Sequence, residues 1–69
     1  MNEECRNKLR GLVYEMYGSQ LSFTKAIKWR AGKINAILSG KYIPTTQEAS
    51  QIYKALHLTT EQYNAIFMQ

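Results

Sequence analysis

Apolar side chains recur three and four positions apart along almost the whole chain, and nowhere do they alternate with polar ones over the length of a strand. That spacing gathers apolar groups on one face of a helix, whereas a half-buried strand needs a period of two. The 69 residues divide into five such segments. A chain of this size makes one domain and buries only about 60% of the surface its unfolded form exposes. The expectation is one all-α domain over residues 1–69, a compact, orthogonally packed bundle of five helices.

The first helix is expected from Asn2 to Tyr17. Asn2 is a good N-cap, and Glu3 and Glu4 suit the positive end of the helix dipole. Cys5, Leu9, Leu12, Val13 and Met16 give the apolar face, and Gly18 the stop. A short second helix follows from Gln20 to Ile27, capped by Ser19, with Phe23 and Ile27 facing inward and Leu21 or Thr24 completing the contact. Lys28-Trp29 forms the break. The third helix is expected from Arg30 to Leu38, with Ile34, Ile37 and Leu38 as its buried stripe. Ser39-Gly40 ends it, and Pro44 keeps Lys41–Ile43 out of helical geometry. Thr45 and Glu48 have the spacing of a capping box at the head of a fourth helix, whose inner face is Ala49, Ile52, Tyr53 and Leu56. His57-Leu58 closes it. Thr59 or Thr60 caps a fifth helix over Glu61–Met68, anchored by Tyr63, Ile66 and Phe67.

Charge is distributed unevenly. Residues 1–18 carry no net charge and residues 42–69 carry −1, while residues 19–41 hold Lys25, Lys28, Arg30, Lys33 and Lys41 with no acid, for +5. A basic segment confined to one stretch is the electrostatic footprint of a polyanion binder. The chemistry for catalysis is missing. Cys5 and His57 are the only soft metal ligands, where structural zinc takes four, and neither has a partner for a nucleophile–base pair. The expectation is therefore a non-enzyme with no metal, no cofactor and no small-molecule ligand. One cysteine permits no internal disulfide and fits a reducing, cytoplasmic setting. The polar N-terminus has no signal-peptide character, and no apolar run approaches the roughly 20 residues that span a bilayer, so no membrane association is expected.

A short helix, a tight turn and a second short helix ending Leu-Ser-Gly-Lys occupy residues 19–40 and their border. Here the chain resembles the Cro/repressor (XRE-like) helix-turn-helix family of phage and bacterial DNA-binding domains. Ser19-Gln20, Phe23, Ile27, Trp29, Ile34, Ile37 and Leu38-Ser39-Gly40-Lys41 carry the likeness. Residues 48–58 (EASQIYKALHL) look like the family's following helix, and residues 59–68 (TTEQYNAIFM) like the end of a small phage-repressor subgroup. The resemblance implies a lambda-repressor-like fold and a sequence-specific regulator of transcription that binds double-stranded DNA; the limited contact area of one small module adds the expectation of a homodimer across two half-sites. The resemblance also implies that the third helix lies in the major groove, with Gln20 at the head of the second helix touching the backbone or a base edge. It places Arg30, Ala31, Gly32, Lys33 and Ala36 toward the bases, Lys41 and the loop beyond it on the backbone, and Trp29 in the core.

Three departures bear on function. The turn position that usually holds a left-handed Gly is Lys28, which requires a positive φ at some cost. Gly32 near the start of the third helix costs about 1 kcal/mol relative to Ala. Ala31, Gly32 and Ala36 offer no side-chain hydrogen bond, so direct readout falls to Arg30, Lys33 and Asn35, with shape contributing more. Tyr42, beside Lys41, is expected on a phosphate. Tyr63, Ile66, Phe67 and Met68 either finish the core or form an apolar patch for dimerisation. The competing class is a protein-interaction module on the same scaffold: an antirepressor, an antitoxin-like partner or a phage-encoded inhibitor of a host protein.

Overall fold

Four of the five helices begin where a small polar side chain captures an orphan backbone N–H. In the computed structural model, which describes residues 1–68, the Asn2 side chain accepts from the Cys5 N–H at 2.8 Å and starts α1, Glu3–Tyr17. Ser19 Oγ accepts from the Ser22 N–H at 3.1 Å and starts α2, Gln20–Ile27. Full capping boxes open α4, Thr46–Ala55, and α5, Thr60–Phe67: Thr45 pairs reciprocally with Glu48, and Thr59 with Gln62. Between them lies α3, Lys33–Leu38, only six residues long. There is no strand among the described residues.

The third helix begins three residues later than the apolar spacing suggested. Its N-cap is Gly32 at φ 91°, a left-handed conformation that glycine adopts freely and a side chain would resist. Gly32 is therefore no misplaced helix residue; it is the pivot at which the chain turns into α3. Arg30 and Ala31 precede it in a five-residue connection, residues 28–32, with the Lys33 N–H reaching back to the Arg30 carbonyl at 3.3 Å. Lys28 does take the left-handed conformation, at φ 62°, and closes α2 by donating its N–H to the Thr24 carbonyl.

All five helices contribute to one core. Leu9, Val13, Phe23, Ile34 and Ile52 are each at most 1% exposed, and Ile37, Leu38, Leu56, Leu58 and Ile66 join them. Phe23 sits between two aromatic edges, with Tyr17 at 5.2 Å and Trp29 at 6.3 Å between ring centres. α1 is the spine: it packs against α2, α3 and α5. Its Cys5 thiol points at the Ala65 carbonyl of α5 at 3.2 Å, and the Tyr17 hydroxyl donates to the Ala55 carbonyl at the end of α4 at 2.6 Å. The radius of gyration, 10.7 Å, is close to the roughly 11 Å expected of a compact chain of this length.

Two side chains of the expected apolar faces lie elsewhere. Met16 is 45% exposed and Leu12 half-buried, so the inner face of α1 is the narrower row Cys5, Leu9, Val13. On α2, Thr24 is buried beside Phe23 while Leu21 stays 60% exposed. In a helix of eight residues, position 24 flanks the Phe23–Ile27 row, and position 21 is turned away from it.

Candidate nucleic-acid interface

The left-handed turns at Lys28 and Gly32 fold the α2–α3 connection into a shallow bowl. Lys28, Trp29, Arg30, Ala31, Gly32, Lys33, Ala36 and Tyr42 line this open concavity of about 660 Å³. Three cations stand among its lining residues and no acid does. The small residues Ala31, Gly32 and Ala36 make the floor accessible, since a Cβ added at Gly32 would meet nothing within 4 Å.

Of the nine residues expected to face DNA, six line the bowl: Arg30, Ala31, Gly32, Lys33, Ala36 and Tyr42. Arg30 and Ala31 stand in the turn, not on α3, and both are exposed. Gln20 is the half-buried first residue of α2; Asn35 is exposed on α3; Lys41 is exposed just beyond it; none of these three lines the bowl. Lys28, counted in the basic segment but placed at the break, and Trp29, placed in the core, also line it. Trp29 is in fact half-buried: one edge rests on Phe23, and its indole N–H donates to the Gln51 side-chain oxygen at 3.0 Å.

Lys33 and Tyr42 meet an acid that sequence reasoning had given only a capping role. The Lys33 ammonium forms an ion pair with the Glu48 carboxylate and lies 4.7 Å from the centre of the Trp29 ring. The same carboxylate accepts from the Tyr42 hydroxyl at 2.8 Å and from the Thr45 backbone N–H at 2.9 Å. The Lys33 contact, the Thr45 N–H and the Tyr42 hydroxyl together hold the Glu48 carboxyl down at about 2, against an ordinary 4.5. Donating to that carboxylate, and standing near its charge, holds the Tyr42 phenol above its ordinary 10.0. The basic segment is thus not wholly uncompensated: one of its five cations is matched from α4. The capping-box spacing signalled Glu48, but nothing in the sequence signalled its reach to Lys33, fifteen positions away.

Below α3 the chain turns back at Gly40, φ 83°, where a Cβ would lie 3.0 Å from the Arg6 guanidinium. The backbone N–H groups of Lys41 and Tyr42 both close on the Ala36 carbonyl, at 2.9 and 3.2 Å. That tight return brings Tyr42 over the bowl.

The C-terminal aromatic group mostly finishes the core. Ile66 is 2% exposed and so offers no surface to a partner. Tyr63 packs edge-on against Tyr53, Phe67 leans on Tyr63, and both are half-buried. Met68 alone of the four is exposed, at 69%.

Among the described residues, no three His, Cys, Asp or Glu side chains cluster in a way that could hold a metal ion. Nor is any described helix long and apolar enough to cross a membrane. No protein-family model, curated protein or solved structure matches the chain.

Proposed function

We propose that this chain is a sequence-specific double-stranded DNA-binding regulator of transcription, a repressor or Cro-like protein of phage or mobile-element type. In this reading α2 and α3 form a helix-turn-helix over about residues 19–40 on a lambda-repressor-like scaffold. The observation that carries it is the bowl on the α2–α3 connection, whose lining holds Lys28, Arg30 and Lys33, the last of them paired with Glu48. Cations on a concave, small-residue surface beside a helix suit the edge of a major groove, which is wide enough to admit that helix.

The mechanism is occupancy. A bound domain blocks promoter DNA without a catalytic step, in the cytoplasm, and needs neither cofactor nor small-molecule ligand. Arg30 and Asn35 carry the base-edge hydrogen bonds, Arg to G and Asn to A. Ala31 and Ala36 touch thymine methyls, and Lys28, Lys41 and the head of α2 at Gln20 hold the backbone. Twofold pairing of two copies, with Met68 and the exposed edges of Tyr63 and Phe67 in the contact, supplies a second half-site. Selection from random duplex DNA followed by footprinting tests the reading. A single enriched site, protected by the wild-type protein and not by Arg30→Ala, supports it; no enrichment sinks it.

One observation favours a second reading, a protein-interaction module. Lys33, at the head of α3, is already paired inside the molecule, and Ala31, Gly32 and Ala36 have no polar side chain to read bases. Such a module binds a protein partner with little dependence on salt, where DNA binding weakens steeply as salt rises.

A further inference from the structure

Glu48 is fixed and Lys33 is not. The Glu48 carboxylate is held from behind by the Thr45 N–H within a capping box at the head of α4, and its side chain is only 13% exposed. Lys33 reaches it with a flexible four-carbon stem, and its side chain is 30% exposed. Its ammonium lies over the Trp29 ring, at the wall of the bowl. A carboxylate that accepts from an ammonium and a phenol hydroxyl at once offers those donors the same chemistry as a phosphate oxygen.

We infer that Glu48 is an internal stand-in for phosphate, a selectivity-determining residue that occupies Lys33 and Tyr42 in the free protein so that an incoming duplex must compete for them. The inference rests on the DNA-binding reading and adds to it a source of discrimination. Loose, sequence-independent binding depends on every available cation. Withdrawing Lys33 removes one of them. A cognate duplex draws the ammonium along the Trp29 face into the bowl, and its other contacts offset the loss of the Glu48 pair. A non-cognate duplex has no such compensation. Glu48 thereby lowers background affinity more than specific affinity, although it touches no DNA.

Glu48→Gln tests this directly. The amide keeps an oxygen for the Thr45 N–H and the Tyr42 hydroxyl, so the capping box and fold persist, as helical circular dichroism will show. Binding to a random-sequence duplex is measured by Trp29 fluorescence across a salt series. The variant should bind more tightly at low salt, and its advantage should shrink about threefold between about 50 and 200 mM, as one added phosphate contact requires. In a Lys33→Met background the same Glu48→Gln change should give no such gain. A gain that persists there reflects net charge alone and overturns the inference, as does a variant with wild-type affinity and salt slope. If neither protein binds duplex at low salt, the DNA reading fails and the same comparison is made with inorganic pyrophosphate. A gain there that depends on Lys33 upholds the stand-in role, and no gain refutes it.

Discussion

The Arg10 guanidinium on α1 donates to the Leu38 carbonyl at the end of α3, at 3.1 Å. Helix α3 has no basic residue in its own last turn, so a cation from a neighbouring helix meets its negative end. Arg6, one turn earlier on α1, lies against Gly40 just beyond. Two arginines of the first helix therefore fix the far end of the element that carries the bowl. Arg10→Met keeps the aliphatic stem and removes the donor, and should cost about 1 kcal/mol in urea unfolding.

The two left-handed positions of the connection should respond in opposite directions to exchange of glycine. Lys28 holds φ 62° with a side chain, so Lys28→Gly should stabilise by up to about 1 kcal/mol. Gly32 holds φ 91° with open space around it, so Gly32→Ala meets no clash and reports backbone strain alone, a loss of about 1–2 kcal/mol. Thermal melts of the two variants beside wild type check both signs.

Ile34 is 1% exposed beneath the bowl. Ile34→Ala should cost about 2–5 kcal/mol. A chain of this size has roughly 3–5 kcal/mol in all, so the substitution should remove most of its stability, visible as a steep fall in the thermal midpoint tracked by helical circular dichroism.

The Glu48 carboxyl titrates at about 2 in the folded protein, below its ordinary 4.5. A depressed carboxylate adds stability that is complete above the ordinary value and disappears as pH falls through the folded one. The urea midpoint of wild type should therefore exceed that of Glu48→Gln by a constant margin above about pH 5. The margin should close between 4.5 and about 2. An unchanging margin across that range would show that the carboxylate is not held by its neighbours.

Much of this architecture can be read from local chemistry. The caps at Asn2, Ser19, Thr45 and Thr59 and the apolar rows they precede set α1, α2, α4 and α5 to within a residue or two, because a cap and a helical period are short-range properties. The start of α3 is not legible that way. Gly32 looks like a weak helix residue in sequence and is a left-handed N-cap in space, a difference set by where α2 leaves the chain. The site is legible as a basic segment, but its state of charge is not. The Lys33–Glu48 pair exists only because α4 packs back toward the connection, and no spacing rule relates positions so far apart. Likewise Ile66 and Met68 look equally apolar in sequence, yet the packing of α5 on α1 buries one and leaves the other exposed.

Whether the basic bowl docks on duplex DNA is decided by the salt dependence of binding. With Lys28 and Lys41 on phosphates, the logarithm of the affinity should fall against the logarithm of salt with a slope of about −2 per protomer. Lys41→Ala should flatten it by about one. A slope near zero, or no binding to duplex at about 50 mM salt, would rule out a DNA-binding role for the bowl.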